Sequence, residues 1–503
     1  MLRLILLFTG IFITSVASAQ FCGTPQDPLL ERVDINKKNM IPMQRSVQKY
    51  IPITFHLVAA SNGSGRVSEE GVLMQVANIN ASYADQEAKF YIDHFNYFDN
   101  DAVYNSPASA AAKTQMRLRR DNNAINVFIT NTADNGGGSP GVVLAYYDPQ
   151  EDWVVSRKNE INGASSTLAH EVGHFFSLAH PFDGWDCHPF TLDEYTNPVN
   201  VDFTIPCEGG GGSKLIELHD GSNCNTAGDR VCDTPEDYNL GLLYQNDCSE
   251  NTSVKDKHGD VIKPMVNNFM SYYRNCLAYV FTPTQKNLIN TDFFSFPRSY
   301  IRTGVVPNTT PVVDPVQYIS PINGAETNGT TNILLDWEDV PGANKYLVIY
   351  DRFASFTFAP VKVFVTSSEL LITDALVVDK PYYWKVWPYN ESMTGAGYSA
   401  AQNFVVGNGT AVNEIREIND FALTPNPVMD HIPALLTLSS TKPINGQLQV
   451  TDASGQVLSN ETISIPAGMS QYKVQNEDLP IGIYFVTILS EQGRLVTPMM
   501  IMD

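Results

Sequence analysis

Positive charge is scarce in this chain of 503 residues: 32 Lys and Arg stand against 54 Asp and Glu, for a net charge of -22 and a pI near 4.7. That deficit argues against nucleic acid or an anionic membrane surface as the partner. Long apolar runs are missing too. Beyond residue 19 no segment approaches the ~20 consecutive apolar residues of a transmembrane helix, so none is expected. Cysteine is sparse and odd in number, at seven, so one thiol remains after pairing. The hydrophobic fraction of 43% is ordinary for globular protein, and the length suits about three domains.

The N-terminus is built for export. Arg3, the apolar run Leu4 to Val16 and Ala17-Ser18-Ala19 read as a signal peptide over residues 1–19 with a small-residue cleavage site. Gln20 and Phe21 precede Cys22 where a lipoprotein would have small residues, so lipidation is not expected. Cys187, Cys207, Cys224, Cys232, Cys248 and Cys276 fall within one glycine-rich stretch. Three disulfides there would staple a region with little core of its own.

Chemistry concentrates in His170-Glu171-Val172-Gly173-His174-Phe175-Phe176-Ser177-Leu178-Ala179-His180. At about 3.6 residues per turn, His170 and His174 share a helix face and reach one zinc ion at ~2.0–2.1 Å. If the helix ends near Ser177 and the chain turns back, His180 completes a three-histidine set and leaves the fourth position to water. Glu171 then takes a proton from that water. Cys22, followed by Gly23, is either a thiolate that fills the water position and keeps the site latent, or an unpaired or intermolecular cysteine.

Tyr50 to Val58 reads as a first strand, and Ser68 caps a helix running through Val72, Val76, Ile79 and Tyr83. Ile125 to Thr130, Gly141 to Tyr147 and Trp153 to Ser156 are further strands, and the histidine helix spans about Ser165 to Leu178. Strands, then a long helix, then irregular chain predict an α/β (α+β) catalytic domain over 46–304, preceded by a pro-segment over 20–45. The mature N-terminus is expected between Cys22 and Tyr50, with Gln44-Arg45-Ser46 as one cleavage point.

A methionine segment follows at Asn267-Asn268-Phe269-Met270-Ser271-Tyr272-Tyr273. Together with the extended histidine motif it resembles the metzincin metallopeptidases. Gly228-Asp229-Arg230-Val231-Cys232-Asp233-Thr234-Pro235, between the two, resembles the characteristic element of the pappalysin family (cytophagalysin-like). The resemblance covers roughly residues 20–304. It implies zinc on His170, His174 and His180, Glu171 as general base and then acid, and Met270 as the floor beneath the metal. It also implies Tyr272 as oxyanion stabiliser, the strand Gly141 to Tyr147 as the rim for an extended substrate, and Cys22-Gly23 as a cysteine-switch element. Cys248 and Cys276 fall where the family links its loops. Calcium sites occur in relatives, with Asp229 and Asp233 as candidates if they are not caps or solvated carboxylates. Two places depart from the pattern: Ser177 replaces the usual turn glycine, at a cost on the order of 1 kcal/mol if φ is positive there, and the chain has Arg274-Asn275-Cys276 where relatives with a basic preference carry an acid just before that cysteine. No arginine preference is carried over.

Residues 305–315, rich in valine and proline, form a linker. Over 316–407, Ile333 to Glu338, Lys345 to Tyr350 and Tyr382 to Asn390 alternate as half-buried strands and resemble a fibronectin type III sandwich with Trp337 and Tyr346 in its core. Over 414–503, hairpins around Thr424 to Ile432, Gly446 to Val457 and Gly482 to Ile488 resemble the C-terminal sorting domain of type IX secretion cargo in Bacteroidota. The expected protein is multidomain, an α/β metzincin unit followed by two small all-β sandwich domains. It is a secreted or cell-surface zinc endopeptidase made as a zymogen, exported through the periplasm by the type IX machinery and acting on proteins or peptides. The alternative is a surface-displayed binding protein whose metzincin scaffold is inactive.

Overall fold

A computed structural model describes residues 20–40, 47–134, 136, 142–185, 204–206, 213–243, 248–249, 254–256, 258–407, 415, 417–429, 433–476, 479–490 and 492–502. The signal peptide, Gln44 to Ser46, Gly141, and both Cys187 and Cys207 with the glycines after Cys207 lie outside the described residues. The chain divides into two compact units, one running to Asp314 with 341–344 and 388–397 added, the other holding 315–340, 345–387 and 398–503.

The first unit is built on a six-stranded sheet. Its strands are β1 (Gln20–Cys22), β2 (Lys49–Ala59), β3 (Ala88–Asp99), β4 (Ile125–Thr130), β5 (Val142–Asp148) and β6 (Trp153–Arg157), in the order β1-β5-β6-β4-β2-β3. β2, β3, β4 and β6 pair in parallel, and β5 runs antiparallel to β6. β2 and β4 are buried along nearly their whole length, as continuous apolar runs in the middle of a parallel sheet require. The helices that precede the site are α1 (Asp27–Lys38), α2 (Glu69–Ser82), α3 (Asp101–Asn105), α4 (Ala110–Arg117) and α5 (Thr167–Phe175). Ser68 is the N-cap residue of α2, as its sequence predicts, although its side chain makes no capping bond. α5 is shorter than the predicted Ser165 to Leu178 because the chain turns at Ser177.

In the second unit a five-stranded sheet (Ala325–Glu326, Gln402–Val405, Pro381–Tyr389, Lys345–Asp351, Val361–Val365) faces a three-stranded one (Glu369–Ile372, Ile333–Trp337, Tyr318–Ser320). Trp337 joins them: its ring lies 5.3 Å from Tyr346 and 6.1 Å from Trp384, all three fully buried. Residues 418–502 form a second pair of sheets, of three and five strands, around Leu436, Leu438, Val450, Ile465, Val486, Ile488 and Met499. The molecule is thus mixed α/β in its first unit and all-β in its second. Among the described residues no helix is long and apolar enough to cross a membrane.

Candidate metal centre

α5 starts after an Asn162 turn, where the Asn162 side chain accepts from the amides of Ala164 and Ser165 at 2.9 and 3.0 Å. Leu168, Ala169, Val172 and Phe175 bury one side of the helix completely. Its end is a Schellman motif: the Ser177 amide donates to the His174 carbonyl at 2.8 Å, and that of Leu178 donates to the Gly173 carbonyl at 3.0 Å. Ser177 takes the left-handed position, with φ 66°. A serine thus fills a place that favours glycine, at a cost on the order of 1 kcal/mol, and the chain doubles back.

The turn brings three rings together. The Nε2 atoms of His170, His174 and His180 lie 3.1, 3.1 and 3.2 Å apart. Bonds of ~2.0–2.1 Å to a tetrahedral ion would set such nitrogens about 3.3–3.4 Å apart, so the triangle matches zinc closely. Nδ1 of His170 faces the Phe269 carbonyl at 2.6 Å, and Nδ1 of His174 faces the Leu178 carbonyl at 2.7 Å. A carbonyl only accepts, so the proton sits on Nδ1 and the Nε2 lone pair points inward. Burial drives His170 and His180 down to about 3, and His174 well below its usual value, so the rings are neutral and able to ligate a metal.

Around them the structure assembles the other residues singled out in the sequence. The Cys22 sulfur and the three ring nitrogens all lie within 4.8 Å of one another. Cys22 is the free cysteine among the described residues, and its thiol lies 3.5 Å from Glu171 Oε2. Burial first, and the Glu171 charge second, push that thiol well up. Burial likewise pushes Glu171 up to about 8, and its Oε1 is buried without a hydrogen-bond partner. A divalent cation at the imidazoles is the charge that such a thiol and carboxyl lack. Tyr272 packs its ring 5.0 Å from His180, and its hydroxyl bonds to both the amide and the carbonyl of Cys22 at 3.1 Å. Met270 is fully buried beneath α5, where a Cβ on Gly173 would stand 2.5 Å from its sulfur. Only glycine fits there without a shift.

Three residues escaped the sequence reading. Thr24 donates its hydroxyl to Glu171 Oε2 at 3.0 Å and accepts from the Tyr147 amide at 2.8 Å. Gln26 Oε1 accepts from the His180 amide at 2.9 Å. Asn36 Nδ2 donates to Ser177 Oγ at 2.7 Å. All come from the segment before residue 46, and only their closeness to Cys22 in the chain pointed to them. β1 pairs in parallel with β5, the strand expected to hold substrate.

Two disulfides are described, Cys224–Cys232 and Cys248–Cys276; the second is the pairing that the resemblance implied. The calcium expectation is not supported. Asp229 accepts from the Val231 amide at 2.9 Å and the Thr234 hydroxyl at 2.9 Å, and Asp233 from Thr282 Oγ1 at 2.7 Å and the Thr284 amide at 2.8 Å. These carboxylates serve as turn and helix caps.

Comparison with known proteins agrees with this geometry. Residues 54–181 match the metallo-peptidase family M12B, reprolysin-like, and residues 422–502 match the secretion system C-terminal sorting domain. Two proteins from Colletotrichum graminicola (strain M1.001 / M2 / FGSC 10212), each called an extracellular metalloprotease, are similar to this chain. One is 26% identical over 211 residues, covering 36% of this chain and 73% of its own; the other is 25% identical over 189 residues, covering 32% and 65%. Among solved structures, the chicken CNTN1 FN1–FN3 domains are 12% identical over 39% of this chain and 66% of theirs, with a TM-score of 0.20. Dimeric latent PorU from Porphyromonas gingivalis is 15% identical over 39% and 20%, with a TM-score of 0.16. Neither carries an argument about the fold. The chain therefore carries a reprolysin-like metallopeptidase domain, whose metal is usually zinc, and a type IX secretion sorting domain. Both fit a secreted or cell-surface protein.

Proposed function

We propose that the protein is a secreted zinc endopeptidase of pappalysin-like type, made as a zymogen and closed by its own N-terminal segment. The observation that carries this is the convergence of three neutral imidazoles and one free thiol, with Glu171 beside them. His170, His174 and His180 would hold zinc, which would supply Lewis acidity toward a peptide carbonyl and acidify water. Glu171, in a dry site with one oxygen unpartnered, takes the proton of the attacking water and passes it to the leaving amine. Tyr272 donates to the carbonyl oxygen as it gains charge, once its hydroxyl is released from the Cys22 backbone. β5 offers its edge to an extended peptide.

In the zymogen, β1 lies along that edge, Cys22 would take the open place at the metal, and Thr24 occupies Glu171. Cleavage between Cys22 and Tyr50 would free all three. The sandwich over 316–407 is a fibronectin type III-like spacer, and the sorting domain takes the protein through the periplasm and across the outer membrane, after which it is removed.

Zinc content and casein cleavage of the processed protein, compared with Glu171→Ala, test the reading. Both proteins should hold about one zinc, and only the first should cleave. Zinc bound without cleavage by the processed wild type would leave an inactive binding scaffold instead. Cys22→Ala should hasten self-processing, and an unchanged rate would remove Cys22 from the metal.

A further inference from the structure

The geometry points to Gln26 and Asn36 as positioning residues for the third metal ligand: the segment that covers the site also holds the turn that delivers His180. This inference rests on the zinc reading above and goes beyond latency, which concerns residues 20–24.

The turn has two weak points, and each residue meets one. His180 lies three residues beyond the left-handed Ser177, so its amide is outside the helical ladder and is buried with the rest of the residue; a buried N–H needs an acceptor. Gln26 Oε1 supplies one at 2.9 Å, while Gln26 Nε2 is anchored on the Thr24 carbonyl at 2.8 Å. Ser177 stands at φ 66°, a conformation that its Cβ disfavours. Its hydroxyl donates to the Phe176 carbonyl at 2.6 Å and accepts from Asn36 Nδ2 at 2.7 Å. Asn36 is itself fixed by Asp292 Oδ1 at 3.0 Å, on the helix Pro283–Phe294. Asp292 also takes a two-pronged bond from Arg32 of α1, at 2.8 and 2.9 Å. The ligand turn is thus gripped from one side at its strained residue and from the other at the ligand's own amide. Both grips come from residues 26–36.

Zinc release tests this in the Glu171→Ala precursor, which cannot process itself. Zinc-loaded protein is mixed with excess chelator, and the rate of zinc transfer is followed. Gln26→Ala/Asn36→Ala should release zinc at least about tenfold faster than its parent, and the single variants should fall between. Adding Ser177→Gly, which removes the strained Cβ, should shrink that ratio to below about threefold. The same ordering should persist in the Cys22→Ala background, which separates the turn from the thiol. Hydrogen exchange at the His180 amide gives a second readout, faster in Gln26→Ala alone even if the double variant folds poorly. Equal release rates would overturn the inference, as would a ratio indifferent to Ser177→Gly or lost with Cys22. A precursor that binds no zinc at all would instead sink the metal reading itself.

Discussion

Gly173→Ala probes the packing between the histidine helix and the methionine turn. The added Cβ would sit 2.5 Å from Met270 Sδ, 3.3 Å from its Cε and 3.6 Å from Phe281. Non-bonded heavy atoms rest about 3.5–4.0 Å apart, so the sulfur must retreat by roughly 1 Å. Met270 is fully buried, with Phe281 against the same face, so the retreat strains its neighbours. Overpacking of this kind costs about 1–3 kcal/mol, or roughly 1.5–5 °C in the melting temperature of a unit this size. Calorimetry of the full chain in the Glu171→Ala background would resolve the transition of the first unit without self-digestion. Met270→Ala alone should cost about 2–5 kcal/mol through its cavity. The double variant should cost less than the sum by the overpacking energy, because the clash disappears with the side chain. Additivity within about 0.5 kcal/mol would refute the contact, and with it the assignment of Met270 as the floor beneath α5.

Three further perturbations follow from named contacts. Burial holds His56 down to about 4, between Asn126 and Asn96 at 2.9 and 3.1 Å. The unfolded chain takes up this proton below about pH 6.5 and the folded chain only below about 4, so stability falls across that window by about 3 kcal/mol and levels off beneath it; His56→Asn should flatten the urea-midpoint profile there, and parallel profiles would contradict it. Cys276→Ser opens the Cys248–Cys276 bridge, whose separation of 28 residues corresponds to about 3.5 kcal/mol of loop entropy; limited proteolysis should then cut first around 248–276, and unchanged resistance would count against a stapling role. Arg298 is buried, bonds Asp292 at 3.0 Å, Asp152 at 2.5 Å and the Phe175 carbonyl, and lies 3.6 Å from the Phe175 ring. Arg298→Met would take the buried cation from Asp292 and Asp152, leaving Asp152 with the Tyr147 and Tyr300 hydroxyls at 2.7 and 2.8 Å, and release the end of α5, at about 3–5 kcal/mol; a melting temperature within 2 °C of wild type, where a loss of about 4 °C or more is expected, would show that the network is not coupled to the helix.

How much of this could be read from the sequence depends on how far apart the interacting residues lie in the chain. β4 is found at its predicted bounds because a short apolar run between turn residues is a local signal. The His170 and His174 spacing is local too, since helical period alone puts both rings on one face. The aromatic core of the first sandwich follows from strand alternation at Trp337 and Tyr346. β3 gives no local signal, because Asp93, His94 and Asn96 break the apolar pattern on a strand that forms the sheet edge. Arg298 and Asp292 gave no signal either, since a charged residue is expected at the surface until its partners are known.

Ser177 shows where local reading stops and long-range structure takes over. By sequence it was the weakest position of the motif, a residue with a Cβ where the turn favours glycine. The structure gives it positive φ and closes the three-nitrogen triangle regardless, with help from a partner 141 residues away. A hydroxyl there can do what glycine cannot, namely accept a hydrogen bond from α1. Strain on the order of 1 kcal/mol is close in size to the net stabilisation of one buried hydrogen bond, about 0.5–1.5 kcal/mol. The turn is therefore near balance while Asn36 is in place and would carry its strain alone if processing removes the segment as proposed. On this reasoning Ser177→Gly should leave the precursor almost unchanged and stabilise the processed form by about 1 kcal/mol. Equal effects on both forms would mean that Asn36 does not offset the strain.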